Sequence, residues 1–407
     1  MPVWSVLLVG YLLTRVWGWA VLVAVGRNQG PSPWGEGPLG YLEMLGMWDS
    51  GWYEQIAHHG YPEQLPVDAE GRVRQNPWAF YPLFPLSARG LMAVTGWGYP
   101  AAGGLLALLC GAVLTLGLYL LFRQAPAAAR GDHHPVSVLK PLVLPVREAD
   151  QRALWAAALV LLTPVSVILQ IPYAEVLGAT LLTWFFVLLL AQRVGAAALL
   201  LVLVCLSRPV GVPLAAALGL WWCWTVIQRR HEGWATALLT GKRWLMLALL
   251  GCAAALSWPA IAWAYTGRID AYTATETAWR GADLAPLLPW WTQAQHYLGP
   301  AGPLILLILL VLFAGAMISA PVLRTLPRLM RLWCWSYLVY LLIFLFPQSS
   351  TFRLLLPLFP LALPMAEVSE SRAYRVLLLI GAALGQLIWV GWLWHWKELP
   401  GGGDYPP

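Results

Sequence analysis

The side chains with the clearest capacity for chemistry lie in one short segment, WDSGWYEQIAHHGY, at residues 48–61. Its pattern predicts a short helix that begins with Asp49 or Ser50 as the N-cap and stops at Gly60. A carboxylate at this place can take a proton from a hydroxyl group and so act as a general base. The alternative is that Asp49 is only an N-cap, which is worth about 1 kcal/mol.

The same helix is predicted to be amphipathic, with an aromatic side and a polar side. We expect Trp48, Trp52 and Ile56 to rest on a membrane surface. Tyr53 and His58, together with Asp49, then look toward a site above the bilayer. The alternative is that the aromatic residues only form an interfacial belt.

Three further charged residues fall beside predicted turns between apolar segments. Glu175 is either a hydrogen-bond partner for a substrate hydroxyl or a solvated helix cap. Arg208 and Arg353 are candidates to hold a phosphate as charge-assisted donors. For Arg353, which opens an apolar segment, the alternative is that it reaches out to the interface.

Two other features are less easily assigned. Arg15 lies near the middle of the first apolar segment, where a charge costs at least about 2.5 kcal/mol. We expect it to face protein, either paired or near a lipid phosphate. His58 and His59 could contribute to a metal site, but neighbours on a helix point apart. We therefore favour no metal, and donation from these rings to a phosphate or an acceptor.

Composition places these residues in a membrane protein. Of 407 residues, 59% are hydrophobic and 11% are charged, against about 25% charged in a soluble domain. A helix needs roughly 20 apolar residues to cross the hydrocarbon core. The sequence predicts a single all-α domain over 1–407 with about eleven spanning helices, near 3–25, 101–122, 153–170, 174–191, 195–206, 210–227, 243–266, 302–320, 332–347, 353–367 and 375–396.

Charge placement predicts the orientation. Fifteen of the 25 basic residues lie in the linkers that the positive-inside rule assigns to the cytoplasm. Residues 26–100 and 267–301 are then outer loops, with 79–96 as a juxtamembrane helix that does not span. The N-terminus is inside and the C-terminus outside. Because the basic excess is explained by topology, nucleic acid is not an expected partner.

Four motifs in order resemble the PIG-V family. They are the segment at 48–61 followed by FYPLFPL, then IPYAEVL at 171–177, SRPVG at 207–211 and STFRLLLPLFPL at 350–361. The resemblance runs from about residue 3 to residue 370. The first motif is the most specific, and each later motif falls at a predicted outer turn.

The resemblance implies a GT-C glycosyltransferase, a multi-span enzyme that uses polyprenyl-phosphate sugars on the non-cytoplasmic face. Such enzymes keep an acidic residue in the first outer loop, and Asp49 occupies that position. The implied donor is polyprenyl-phosphate mannose, the implied acceptor a glycolipid or glycan, and the location the bacterial cytoplasmic membrane. No cofactor is implied, and one carboxylate suffices for direct, inverting displacement.

Two alternatives stay open at this point. A transporter or flippase of a lipid-linked saccharide would also be polytopic, but transporters place charges near the midplane and often show inverted repeats. Here the polar groups cluster at one face. A related transferase could also move glucose, arabinose or aminoarabinose, and the residues do not separate these sugars.

Overall fold

The computed structural model of the chain describes residues 1–131, 139–399 and 403–407. These residues form α-helices joined by turns and short 3-10 segments, with no strand beyond three isolated bridges. The predicted all-helical class is confirmed for this part of the chain. The helices of the first half are α1 Val3–Gly26, α2 Tyr41–Leu45, α3 Asp49–His59, α4 Leu83–Thr95, α5 Tyr99–Ala129, α6 Lys140–Val143, α7 Gln151–Leu162 and α8 Ala174–Leu190.

The second half continues the same architecture after the turn that follows α8. Its helices are α9 Val194–Cys205, α10 Gly211–Arg229, α11 Trp234–Thr266, α12 Ala271–Arg280, α13 Leu288–Leu298, α14 Gly302–Ser319, α15 Arg328–Phe344, α16 Thr351–Leu354, α17 Ala362–Glu367 and α18 Arg372–Leu393. The long helix α5 lies at the centre and packs against α1, α4, α7 and α8.

Six helical segments among the described residues are long and apolar enough to cross a membrane. They correspond to α1, α5, α10, α11, the α13–α14 unit and α18. Each matches one of the eleven predicted crossings. The other five predicted crossings, at 153–170, 174–191, 195–206, 332–347 and 353–367, fall on helices of 17 residues or fewer. The coarse prediction of a helical chain with several apolar spans therefore holds.

Proline breaks two of the segments that were predicted as continuous helices. The segment 153–170 ends as helix at Leu162, because a residue before proline is driven to extended backbone, and Thr163 before Pro164 has ψ 151°. It resumes as the 3-10 turn Ser166–Gln170. The segment 353–367 is likewise divided into α16, a 3-10 segment and α17. These breaks release backbone carbonyls that need other partners.

The first long loop is folded rather than extended. It contains α2, α3 and α4, which pack on the central helices. Helix α4 covers most of the ambiguous stretch 79–96 and has 13 residues, about 20 Å at 1.5 Å per residue. That length is shorter than the hydrocarbon core of about 30 Å.

Contacts between the chain termini and the linkers define two ends of the helical bundle. At one end Val3 N–H donates to Leu144 C=O at 2.9 Å. At the other end Gln29 exchanges hydrogen bonds with the backbone of Trp396. Linkers that the charge pattern assigns to one side therefore contact each other. The two sets of contacts lie at opposite ends of α1.

Candidate functional site

The site begins at an unusual turn between α2 and α3. Trp48 adopts φ 59°, a conformation that a bulky residue rarely takes, and α3 starts directly after it at Asp49. The predicted N-cap role of Asp49 or Ser50 is therefore wrong, because Trp48 holds the cap position without a side-chain cap bond. The Asp49 carboxylate is left free for tertiary contacts. Gly60, with φ 76°, ends the helix as predicted.

The aromatic side of α3 packs against protein. Ile56 is fully buried, and the indoles of Trp48 and Trp52 both contact other aromatic rings. The prediction that this side rests on the membrane surface is wrong for these residues, since rings from 26–100, 267–301 and the C-terminal segment cover it. The ring contacts are Trp48 with Trp34 at 5.1 Å and Trp396 at 5.5 Å, and Trp52 with Phe80 at 6.1 Å and Trp279 at 5.2 Å.

Four charged side chains from separate parts of the sequence meet beyond Asp49. Asp49 Oδ2 accepts from Arg353 Nη2 at 2.5 Å. Glu175 Oε1 lies 3.3 Å from Arg353 Nη1 and 3.3 Å from Arg208 Nη1. Two carboxylates thus face two guanidinium groups in an alternating row. The predicted site residues at these four positions are brought together.

Burial and unused hydrogen-bonding capacity distinguish this row from a surface ion pair. The Glu175 side chain is 3% exposed and that of Arg353 is 10% exposed. Neither carboxylate oxygen of Glu175 has a hydrogen bond of good geometry, and Nε and Nη1 of Arg353 also lack one. Buried polar atoms are almost always satisfied, so these groups keep hydrogen-bonding capacity that water or a ligand can use.

Tyr173 organises the row and was missed as a site residue. Its Oη donates to Met47 C=O at 3.0 Å and accepts from Asp49 N–H at 3.1 Å, which holds the start of α3 in place. The Arg353 guanidinium lies over its ring at 5.3 Å. Burial, followed by the charge of Asp49, raises the pKa of Tyr173, so its hydroxyl stays protonated and can donate. The sequence feature that could have indicated this role is its position two residues before Glu175.

Tyr53 is the second phenol at the site, one helical turn after Asp49. It is 1% exposed, and its ring lies 5.9 Å from that of Tyr173. Burial, with the nearby charge of Glu175, raises the pKa of Tyr53. The residue was predicted to face the site, and the structure places it beside the charged row.

A cavity with one charged wall and one apolar wall opens beside the row. It is small and partly open to solvent. Gly178 lies where the cavity meets Arg208, and a Cβ there would come within 3.0 Å of Arg208 Cγ. The lining residues are Glu175, Gly178, Ala179, Leu182, Arg208, Val210, Arg353, Leu356 and Pro357.

The Arg208 side chain enters this cavity from the turn between α9 and α10. Leu83 N–H, at the start of α4, donates to the Leu206 carbonyl of that turn at 3.2 Å. Burial lowers the pKa of Arg208, but Glu175 and the neighbouring phenols together outweigh burial, so the pKa is raised overall. Arg208 is therefore a permanent cation held toward the cavity.

Three predicted site residues lie elsewhere. Arg15 is 5% exposed, and its guanidinium donates to the carbonyls of Ser166 at 2.7 Å and Leu161 at 2.9 Å. These carbonyls flank the break after α7, so Arg15 satisfies a broken helix and is not in contact with the charged row. His58 and His59 are exposed near the far end of α3, about 14 Å along the axis from Asp49.

The two histidines have one acidic neighbour on the same helix. His58 Nε2 lies 3.9 Å from Glu54 Oε1, and the neighbouring ring of His59 has its centroid 6.0 Å away. Over residues 1–131, 139–399 and 403–407 no group of three or more His, Cys, Asp or Glu side chains is arranged to hold a metal ion. The expectation that catalysis needs no metal remains a prediction for a chelator experiment.

Comparison of the chain with protein-family models gives no match, and comparison with curated proteins gives none either. The resemblance to the PIG-V family therefore remains a prediction from the four motifs. In the structure, each of the four motifs contributes one charged residue to the row. In chain order these residues are Asp49, Glu175, Arg208 and Arg353.

Proposed function

We propose that this protein is a polyprenyl-phosphate-sugar-dependent glycosyltransferase of the GT-C type that transfers mannose. The observation that carries the proposal is the buried row of Asp49, Arg353, Glu175 and Arg208 beside a half-apolar cavity. A general base, two phosphate-binding cations and an apolar wall for a lipid chain are what such a donor requires.

The donor phosphate is expected to bind between Arg208 and Arg353. A phosphodiester carries one negative charge, and guanidinium groups donate to phosphate through paired N–H groups. Nε of Arg353 has no hydrogen-bond partner and can donate to the phosphate, while Nη1 faces Glu175. As the phosphate binds Arg353, it competes with Asp49 and frees that carboxylate to act as a base.

The transfer step then balances within the row. The acceptor oxygen attacks the anomeric carbon as its proton passes to Asp49, and the bond from that carbon to the phosphate oxygen breaks. The electron pair stays on the phosphate oxygen, and the extra negative charge is stabilised by Arg208 and Arg353. A single displacement of this kind inverts the anomeric configuration. Glu175 holds both arginines toward the phosphate.

The membrane setting proposed for this site follows the charge pattern. The chain would cross the bacterial cytoplasmic membrane about eleven times, with the N-terminus inside and the site on the extracytoplasmic face. The six long segments would supply six of these crossings, and the shorter helices α7, α8, α9 and α15 and the segment from α16 to α17 would supply the other five. The acceptor would be a glycolipid or glycan.

The proposal is tested with purified protein in lipid nanodiscs and polyprenyl-phosphate mannose as the donor. We expect wild-type protein to release or transfer mannose. Asp49→Asn should lower kcat at least about 100-fold, because the amide cannot accept the proton. EDTA should leave the wild-type rate unchanged if no metal takes part.

The matched control for this experiment is Glu54→Gln, which removes a partly exposed carboxylate from the same helix. It should retain the wild-type rate. Near-wild-type turnover by Asp49→Asn would exclude Asp49 as the base. If the protein moved the intact donor across a vesicle bilayer without consuming it, the transferase hypothesis would be wrong and the transporter hypothesis would be favoured.

A further inference from the structure

Helix α12, in the second long outer loop, is fixed to the first outer loop by buried hydrogen bonds. Asn76 Nδ2 donates to Thr275 Oγ1 at 2.9 Å, and Trp279 Nε1 donates to Asn76 C=O at 3.1 Å. Asn76 is 1% exposed and Thr275 is fully buried. The two loops therefore form one layer, and residues on α12 keep a defined position relative to α3.

This layer contains a carboxylate that the charged row does not use. Glu276 is partly buried on α12, and no described lysine, arginine or histidine lies within 4 Å of it. Tyr272 lies one helical turn before Glu276 on α12, and its Oη lies 3.2 Å from Tyr81 Oη. Burial raises the pKa of Glu276, against the lowering by Tyr272 and by the charges of Arg280 and Arg208.

Tyrosine side chains connect this carboxylate with the charged row. Tyr337 donates to Leu354 C=O, next to Arg353, at 2.6 Å, and its ring stacks on Tyr340 at 6.3 Å. Tyr81, whose Oη contacts Tyr272 Oη, lies two residues before Leu83, whose N–H donates to the Leu206 carbonyl in the turn that carries Arg208. Glu276, one helical turn after Tyr272 on the same face of α12, therefore lies near the segment that contacts the turn of Arg208.

An aromatic pair closes the layer between the two acidic residues. Trp52 follows Asp49 by three residues on α3, and Trp279 follows Glu276 by three residues on α12. Their rings meet edge to face at 5.2 Å, and both side chains keep part of their surface exposed. Residues three apart on a helix lie on the same face, so each indole adjoins its carboxylate.

We propose that Glu276, Tyr272 and Trp279 form the acceptor site and bind the hydroxyl groups and ring of a sugar-containing acceptor. This inference rests on the proposed transferase function. A carboxylate accepts hydrogen bonds from neighbouring hydroxyl groups, and a phenol both donates and accepts. The indole of Trp279 provides an apolar face for the C–H side of the ring. Glu276 is a positioning residue that orients the attacking hydroxyl toward Asp49.

The test compares Glu276→Gln with wild type in nanodiscs, using polyprenyl-phosphate mannose and three acceptor probes: octyl mannoside, methyl mannoside and glycerol. Loss of a charge-assisted hydrogen bond should raise the KM for the preferred mannoside about tenfold. The KM for the donor should stay within about twofold, because the donor binds at Arg208 and Arg353. Tyr272→Phe, which removes only a hydroxyl, should shift the acceptor KM in the same direction.

The matched control is Glu63→Gln, an exposed glutamate of the first loop, which should change neither KM. Equal acceptor KM values for wild type and both site variants would overturn the acceptor site while transfer itself stands. So would donor hydrolysis by wild type without transfer to any of the three probes. Wild-type protein that consumes no donor would contradict the proposed function, and the acceptor site would fall with it.

Discussion

At the scale of single residues, the charges of the row cancel within a small volume. Asp49 and Glu175 contribute two negative charges, and Arg208 and Arg353 two positive ones. Burying a charge is costly unless it is paired, and the gain from pairing often only offsets the desolvation. A gain in stability is therefore a weak explanation for this arrangement. Under the proposed function, it is a preformed site in which a ligand replaces one of the internal ion pairs.

Substitution of Glu175 tests whether the row is held together by this balance of charges. Glu175→Gln leaves two buried guanidinium groups facing each other, and we expect the free energy of unfolding to fall by about 3 kcal/mol. The donor KM should change as well, because Arg208 and Arg353 lose the group that positions them. Both quantities can be measured in detergent, by chemical denaturation and by the donor-dependence of turnover.

A buried ion pair at the other end of the bundle provides the control. Asp150 Oδ1 accepts from Arg123 Nε and from Tyr119 Oη, each at 2.9 Å, and the Asp150 side chain is 3% exposed. Asp150→Asn should also destabilise the protein but leave the donor KM at the wild-type value. A donor KM that moves equally in both variants would show that general destabilisation, and not the charged row, sets it.

At the scale of elements, broken helices explain the charge buried in the first membrane segment. Arg15 projects from the middle of α1 onto carbonyls freed where α7 ends before Pro164. Arg15→Met should orphan those carbonyls and lower the free energy of unfolding by about 2 kcal/mol. The folded fraction should keep the wild-type donor KM. A raised donor KM with an unchanged free energy of unfolding would instead indicate that Arg15 contributes to donor binding.

Close packing between α8 and the turn before α10 makes a second prediction for an element. Gly178→Ala places a methyl group against Arg208 Cγ, so the guanidinium must shift within the cavity. We expect kcat/KM for the donor to fall about tenfold, since small displacements of a phosphate-binding group are costly. Gly219→Ala in α10, where no atom lies within 4 Å, should be neutral or slightly stabilising.

Much of this element structure could be predicted, because hydrophobic segments and charge asymmetry are local properties. Asp49, Glu175, Arg208 and Arg353 were found because each adjoins a predicted outer turn, and outer turns must lie at one end of the bundle. Their pairing could not be predicted, since Asp49 and Arg353 are 304 positions apart and only packing decides which carboxylate meets which guanidinium. The role of Tyr173 depends on the left-handed turn at Trp48, which no local pattern marks.

At the scale of the whole molecule, α1 separates two sets of contacts. Its first residues meet 144–146 and its last residues lead to Gln29, which binds the backbone of Trp396. A helix of 24 residues is about 36 Å long, so the two sets are a membrane thickness apart. The C-terminal segment after α18 therefore shares an end with the charged row.

Cysteine labelling tests which compartment each end faces. Single cysteines are placed at three exposed glutamates, Glu70, Glu148 and Glu398, after the five native cysteines are replaced by alanine. We expect an impermeant thiol reagent to label positions 70 and 398 in intact cells, and position 148 only after permeabilisation. The physical reason is the basic linker around 148, which the membrane potential and translocation machinery retain in the cytoplasm. The opposite pattern would place the row on the cytoplasmic face, where an extracytoplasmic polyprenyl-phosphate donor could not reach it. Labelling of 70 without 398 would contradict the packing of Trp396 on Gln29, because the two positions would then lie on different sides of the membrane.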